Sequence, residues 1–538
     1  MIETKVFYDD DSTEVIAKGI NAAANAVKIT LGAKGRVVYY NNAIQTQHGI
    51  QFFKPKPTKD GITVLRNFEL TDQVENFGVE LIKEASQKTA DEVGDGSTTV
   101  AVLVQALVNE GLKLIKEGAS PMQLKAGMES AVATIVAKLK ESSIKIKDES
   151  GKLDIEKIRQ IATVSANNDK IIGDLIADAY VKIGDNGLIK IEDAKGVKTE
   201  IKLTEGFEIN TGYLSPYFLT NYGKGMCELK NPYILFFESE ILSMHALLPL
   251  LEQVVSCGRS LLIFCEDLNG DAFATLANNV KDKVIKACAV KSPFYGERQV
   301  DAMNDMALLT GGKYISAAEG IPLESVTLAM CGQCGSIEVT KDKTTIIGSG
   351  TDKEKITELI EQLKVKLSET TDEDEKDYIE KRISRLTESV AILYVGAVTE
   401  NEATEKKDRC DDAVRAAKSA IEEGFVAGGG SFFASNIYDE VADTDFKKGV
   451  KLVFDAIKAP LTQLCVNAGI ADIETILTKV SRETFGFGYN VLTEQIENLV
   501  DAGIIDPAKA LRCELQNAAS IAGTVLITGC VFARNIKN

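Results

Sequence analysis

Gly94-Asp95-Gly96-Ser97-Thr98-Thr99 gathers two glycines, one carboxylate and three hydroxyls into six consecutive positions, just ahead of a long apolar stretch. Glycines let backbone N–H groups approach an anion closely. Hydroxyls can donate to its oxygens, and the positive end of a helix starting here would attract phosphate. Asp95 would then share a magnesium ion with the phosphate oxygens. No G-x-x-x-x-G-K-[ST] stretch occurs, so this is not the common phosphate loop. A glycine turn followed by a Ser/Thr helix cap uses the same residues, and the stretch by itself fits both readings. Thr30-Leu31-Gly32-Ala33-Lys34-Gly35 and Thr58-Lys59-Asp60-Gly61 carry related chemistry, although each alone reads first as a helix end or a turn. Further on, Arg409-Cys410-Asp411-Asp412-Ala413 puts carboxylates on a helix that runs to Gly424, ahead of Ala427-Gly428-Gly429-Gly430. Nothing local separates Asp412 from a solvated residue.

Acid–base chemistry must fall to carboxylates, because the only histidines, His48 and His245, argue against Ser-His-Asp and Cys-His mechanisms. Ten cysteines scattered over 538 residues lack the density of a secreted disulfide scaffold, so reduced thiols are expected. Cys331 and Cys334 form the sole CxxC pair; without further Cys/His ligands nearby it reads as a turn with two incidental thiols. Acidic residues number 79 against 61 basic ones, for a net charge of −18. With no long basic stripe, nucleic acid and anionic membrane surfaces are poor partners. The first residues, MIETKVFYDDD, lack the basic start and apolar core of a secretory signal. No run approaches the roughly 20 apolar residues that span a bilayer, and a cytoplasmic location is expected.

Positioning these residues takes more than one domain: 538 residues suffice for three or four domains of roughly 150 residues each. Val15, Ile16, Ile20, Ala23, Val27 and Leu31 recur at helical steps, and Gly32 ends the pattern. Residues 37–53 read as a hairpin with a long tip, 70–92 as a helix, and 97–117 as a helix buried all round. From residue 229 apolar runs alternate with helical stretches: Tyr233 to Phe237, then 241–256; Leu261 to Phe264, then 270–281; Val284 to Val290, then 297–309; and finally Tyr314 and Ile315. That βαβα rhythm implies a parallel sheet covered by helices. The charged stretch at 354–388 reads as two solvated antiparallel helices. The last 130 residues or so return to helices, so the two ends can form one domain with the α/β middle inserted into it.

The motifs TLGAKG at 30, TKDG at 58, GDGSTT at 94, SANND at 165, GYLSPYF at 212, RCDDA at 409, EEGFVAGGG at 422, GYN at 488 and DAGIIDP at 501 occur in an order and spacing that resemble the GroEL-like group I chaperonins, over nearly the whole chain. The resemblance implies a multidomain α and α/β chaperonin fold. A helical equatorial domain would take residues 1–146 and 423–538, a hinge-like intermediate domain 147–204 and 391–422, and an α/β apical domain 205–390.

It implies a chaperonin ATPase, with ATP and Mg²⁺ as cofactors and K⁺ assisting. Asp95 would hold the metal, while Gly96, Ser97, Thr98 and Thr99 cradle phosphates opposite Thr30, Leu31, Gly32 and Ala33. Lys59 and Asp60 would lie beside the γ-phosphate, and Gly429, Asn490, Val491 and Asp506 around the base and ribose. Asp412 matches the carboxylate that orients or deprotonates the attacking water, with Asp60 as its catalytic companion. Ala33 stands where the family usually has Pro, and Ser97 replaces Thr; both keep the needed backbone or hydroxyl. The region 41–56 is longer than usual.

Unfolded clients, and the mobile loop of a possible co-chaperonin lid, would meet an apical groove of Tyr213, Tyr217, Phe218, Leu248, Leu251, Phe273, Ala277 and Asn278. The resemblance also implies a homo-oligomeric ring, seven subunits being the family habit. Thr462 and Ala471 replace an Arg and a Glu of the ring-to-ring contact. Thr211 replaces an Arg that would pair with Glu400, whereas Asp169 with Arg409 is kept. These losses point to a weakened contact between rings. The alternative class is a ring scaffold without turnover, which loss of Asp95 or Asp412 would favour; both are present.

Overall fold

A computed structural model describes residues 2–41, 43–46, 49–52, 54–148, 151–185, 187–194, 196–316, 320–348, 353–370, 372–387, 389–436, 438 and 440–536. Its chain packs as two units. One contains Met1–Asp185, Asp193–Glu200 and Val395–Asn538, the other Asn186–Glu192 and Ile201–Tyr394.

Strand β1 (Ile2–Tyr8) leads into α1 (Asp9–Val27), whose first turn sets Asp9, Asp10 and Asp11 against the positive helix end. The turn Lys28–Thr30 ends it. Four short strands follow: β2 (Val38–Tyr40), β3 (Ala43–Thr46), β4 (Gly49–Phe52) and β5 (Lys56–Thr58), with β2 paired to β5 and β3 to β4. The expected hairpin is thus two nested pairs; its tip, including His48, lies outside the described residues. Helices α2 (Gly61–Arg66), α3 (Gln73–Val93), α4 (Ser97–Lys116), α5 (Pro121–Ser142), α6 (Ile155–Ser165) and α7 (Lys170–Ile183) complete this segment. α3 starts at 73 rather than 70 because Asp72 caps it, accepting from the N–H groups of Val74 and Glu75.

The second unit holds two sheets. One combines β9 (Tyr233–Phe237), β10 (Leu261–Cys265), β11 (Ala287–Lys291) and β12 (Tyr314–Ile315) in parallel order β11-β10-β9-β12, with β13 (Gly332–Gln333) antiparallel to β9. All five residues of β10 are buried, as a parallel strand covered on both faces requires. Helices α8 (Met244–Ser256), α9 (Gly270–Lys281) and α10 (Glu297–Thr310) alternate with these strands as the sequence predicts. The second sheet runs β6-β16-β7-β15-β14-β8, from β6 (Leu188–Asp193), β7 (Glu200–Ile209), β8 (Cys227–Lys230), β14 (Ser336–Val339), β15 (Thr344–Ile347) and β16 (Ser389–Val395).

Two expectations change here. CGQC is not a turn: β13 lies between Cys331 and Cys334, and both thiols are buried and pushed up to about 12 by desolvation. Nor are α11 (Lys353–Glu369) and α12 (Glu373–Thr387) simply solvated, since Leu363, Tyr378, Ile379 and Leu386 are buried. Arg382 anchors α12 to α10 through a two-pronged bond to Asp305 (Nε–Oδ2 2.6 Å, Nη2–Oδ1 2.9 Å) and a third contact to Asp301 at 2.7 Å.

The chain returns to the first unit through α13 (Glu400–Glu423), β17 (Phe425–Ala427), α14 (Ser431–Ala434), α15 (Asp445–Ala456), α16 (Ala459–Ala468), α17 (Ile473–Val480), β18 (Phe487–Asn490), β19 (Gln495–Asn498), β20 (Ile505–Pro507), α18 (Ala508–Leu526) and β21 (Cys530–Ile536). β21 pairs antiparallel with β1 from Ile2↔Ile536 to Tyr8↔Cys530, joining the two ends. The bundle core forms around α4, where Val100, Leu103, Val104, Leu107 and Val108 are fully buried among α1, α3, α15 and α18. Among the described residues α4 is long and apolar enough to cross a membrane by length and composition, contrary to the composition reading; its place in this core accounts for that pattern. Gly19 and Gly78 let α1 and α3 touch: a Cβ on Gly19 would stand 1.8 Å from the Glu75 carbonyl oxygen, and one on Gly78 2.0 Å from that of Ile16.

Removing one partner of the buried Arg382–Asp305 pair strands the other charge. Arg382→Met should therefore cost about 3–5 kcal/mol in denaturant unfolding, while Arg382→Met with Asp305→Leu should recover most of it.

Candidate functional site

The first unit builds the site from two helix N-termini that meet. α3 ends at Gly94 (φ 80°), Asp95 follows, and Gly96 (φ 81°) starts α4. The cap of α4 is therefore Gly96, not a Ser or Thr side chain. Asp95 Oδ1 accepts from the Gly96 N–H at 2.6 Å. Asp60 caps α2, with Oδ1 accepting from Ile62 N–H at 3.2 Å and Oδ2 from Thr63 N–H at 3.0 Å and Thr63 Oγ1 at 2.6 Å. A Cβ on Gly61, the first residue of α2, would stand 2.0 Å from Thr98 Oγ1. The start of α2, its N–H groups capped by Asp60, thus meets the start of α4, which has no side-chain cap.

Opposite them, the turn after α1 is tied down by Asn467 of α16, whose Nδ2 donates to the carbonyls of Lys28 at 2.9 Å and Leu31 at 3.0 Å. Gly32 takes φ 78° there. α13 supplies Asp412, and Arg409 on the same helix is held by Asp169 at 3.0 Å, so the ion pair expected from sequence is present.

These elements enclose a cleft of about 380 Å³ lined by Thr30, Leu31, Gly32, Lys59, Asp60, Asp95, Gly96, Ser97, Thr98, Thr99 and Asp412. An adjoining cavity of about 270 Å³ shares Leu31, Gly32, Lys59, Asp95 and Thr99 and adds Ala33, Gly429, Asn490, Val491 and Asp506. Every residue expected around phosphate, metal, base or ribose lines one or both. Among the lining residues not foreseen are three titratable ones, Tyr40, Asp408 and Glu514. Asp408 lies one helical turn before Asp412, a spacing that puts both on one face. Glu514 was hidden because a glutamate in a helix reads as solvated, although the apolar stripe of α18 around it, Leu511, Leu515, Ala518 and Ala522, carries the clue.

The site concentrates negative charge in a cleft: Glu514 is buried, Asp412 and Asp506 are half-buried, and Asp95 is open on the cleft wall. Burial raises Asp412 well above the usual carboxylate range, with Asp60, Asp95, Asp411 and Asp408 adding to the rise. Burial also lifts Asp95, against the bond from Gly96 and helped by the charge of Asp60. Asp506 is pushed to about 7 by burial and then by Asp95. Glu514 lies well above the usual range through burial, Asp506 and Asp95. Asp408, open to the water of the cleft, rises to about 6, chiefly by desolvation and the charge of Asp60. Lys59 lines both spaces and makes no ion pair among the described residues.

The TCP-1/cpn60 chaperonin family model matches residues 23–534. The chain belongs to this family. A solved structure with the same fold is the chaperonin gp146 from the bacteriophage EL 2 (Pseudomonas aeruginosa), crystallised in the presence of ATP-BeFx. It is 20% identical, covers 98% of each chain and superposes with a TM-score of 0.68. The protein is thus a divergent chaperonin with mixed helical and α/β content.

In the second unit of this chaperonin the expected client residues divide. Phe218, Leu251 and Ala277 are buried, at 0%, 7% and 7% exposure, and serve the core rather than a surface, which corrects their assignment to an open groove. Tyr217, Leu248 and Asn278 are exposed, and Tyr213 and Phe273 half-buried. Phe273 sits edge-on to both Tyr217 and Phe218, with ring centres 6.4 and 6.0 Å apart, so the exposed tyrosine stands on a buried aromatic base.

The raised carboxyls give a pH signature. Between the unfolded carboxylate range near pH 4 and about pH 7, the folded Asp506 keeps a proton that the unfolded chain has lost, so stability falls as pH rises. Carboxylates held low, such as Asp72 and Glu423, act in the opposite sense and only below that window. In nucleotide- and metal-free protein, Asp506→Asn should flatten the decline, gaining at most about 4 kcal/mol over the parent above pH 7 in urea titrations.

Proposed function

We propose that the protein is an ATP-dependent molecular chaperone of the cytoplasm that captures unfolded polypeptides and assists their folding within a homo-oligomeric, heptameric ring. The observation that carries this reading is one cleft that brings the uncapped N-terminus of α4 together with Lys59, Asp95 and Asp412. Phosphoryl transfer asks for little beyond charge neutralisation, positioned donors and an in-line nucleophile.

Magnesium fits Asp95, which lines the cleft beside other carboxyls and takes one backbone N–H, from Gly96, on Oδ1; bound there, it would neutralise phosphate oxygens. Ser97, Thr98 and Thr99 offer N–H and hydroxyl donors at the start of α4, and Lys59 adds a positive charge. Thr30, Leu31 and Gly32 close the opposite side, where K⁺ would assist; Gly429, Asn490, Val491 and Asp506 line the base and ribose end. Asp412, lining the same cleft, would act as a carboxylate, its own proton having left to solvent, and would take a proton from the attacking water. Asp60 acts differently from the sequence expectation. Both of its oxygens already accept bonds that order α2, so it aligns the helix terminus and does not receive the proton.

Division of the first unit into equatorial and intermediate domains at 146/147 and 422/423 belongs to the same proposal. So does a ring-to-ring contact weakened at Thr462 and Ala471, and a co-chaperonin lid. A ring scaffold without turnover lacks support while Asp95 and Asp412 both line the cleft.

Asp412→Ala should leave ATP binding intact in titrations with Mg²⁺ while steady-state hydrolysis falls at least about a hundredfold; unchanged turnover contradicts the assignment. For clients, Leu248→Ser should weaken capture of a denatured protein with little change in stability. Leu251→Ser, which puts a hydroxyl in the core, should instead lower stability by about 2–5 kcal/mol. Equal capture by Leu248→Ser and the parent would contradict the groove.

A further inference from the structure

Glu514 lines the adjoining cavity, yet the mechanism above does not use it and no donor in the protein satisfies it. Its side chain is 5% exposed and carries no hydrogen bond or ion pair among the described residues. α18 presents Ala510, Leu511 and Glu514 to the cavity, so a single carboxyl interrupts an apolar wall. Its position is fixed from behind: a Cβ on Gly96 would stand 2.1 Å from Glu514 Oε1, which sets the carboxyl directly against the loop that carries Asp95.

A buried acceptor without a donor is destabilising unless a ligand brings the donor. On the nucleotide reading above, on which this inference rests, the phosphates bring none. The donors left are the ribose hydroxyls and the exocyclic amine of the base. Asn490 is already committed, its Nδ2 donating to Glu497 at 2.6 Å and its Oδ1 accepting from Leu492 N–H at 2.9 Å. Asp506 accepts from the Gly429 N–H and keeps acceptor capacity beside Glu514. We propose that Glu514, with Asp506, accepts hydrogen bonds from the ribose hydroxyls of the bound nucleotide and makes the site discriminate ribonucleotides from deoxyribonucleotides.

The test is equilibrium titration of the full-length protein with ATP, 2′-deoxy-ATP and 3′-deoxy-ATP in Mg²⁺, for the parent, Glu514→Leu and Glu514→Gln. A site built to bond a hydroxyl rejects the analogue lacking it. The parent should bind ATP at least about tenfold more tightly than one deoxy analogue, and Glu514→Leu should bring that ratio within about twofold. Glu514→Gln, whose amide oxygen still accepts, should keep part of it. Ligand-free Glu514→Leu should melt at a higher temperature, because an unsatisfied buried group has gone.

Equal binding of ATP and both deoxy analogues by the parent overturns the proposal, and the parent and Glu514→Gln suffice for this if Glu514→Leu does not fold. An unchanged ratio in Glu514→Leu also overturns it, as does an effect confined to the ATP-to-inosine-triphosphate ratio or to the K⁺ dependence. Failure of the parent to bind any nucleotide overturns the nucleotide reading together with this one.

Discussion

Carboxyl groups that have lost water without gaining a cation govern this protein's site. Asp95, Asp412, Asp506 and Glu514 all lie above their ordinary range, first through burial and then through one another. Arg409, on the cleft wall, is spent on Asp169 and Glu405, which leaves Lys59 as the uncommitted cation lining both spaces. Such an arrangement is costly in the free protein and is relieved by a ligand that brings positive charge and hydrogen-bond donors together. Binding and protonation are therefore linked: a ligand that brings positive charge lowers the carboxyls' hold on their protons.

Holding those groups in place is the task of a core assembled from distant parts of the chain. α4 is apolar on nearly every side because α1, α3, α15 and α18 surround it, and its N-terminus places Ser97, Thr98 and Thr99 on the cleft. α18 comes from the far end of the sequence and delivers Glu514, while β20 delivers Asp506 through pairing with β17 at Val426↔Asp506. β1 and β21 tie the ends together. Glycines 19 and 78 permit the helix contact on one side, and Gly61 permits the meeting of two N-termini on the other. A methyl group at any of these positions would act on the site through the backbone.

Much of this was legible in the sequence, for identifiable reasons. The βαβα middle could be read because covered parallel strands are short apolar runs, as in Leu261 to Cys265. Individual motifs such as GDGSTT were ambiguous between a cap and an anion site; their order along the chain pointed to the family, and the structure puts them on shared cavities. What periodicity cannot show is which neighbour covers a face. Leu248 and Leu251 look alike in sequence, yet one is 44% exposed and the other 7%. Cys331 to Cys334 looked like a turn because a two-residue strand leaves no pattern. Asp60 looked free to do chemistry until its cap bonds were seen, and Glu514 escaped notice because a helix gives no local sign that a glutamate points into a cavity.

The central claim is that the site's carboxyls, Asp506 above all, bind protons more tightly in the free protein than once Mg²⁺ and nucleotide are bound. Calorimetric titration with Mg·ATP near pH 7, in two buffers of different ionisation enthalpy, measures the protons exchanged on binding. A net release of protons, diminished in Asp506→Asn, is the predicted result; binding with the same heat in both buffers would contradict it.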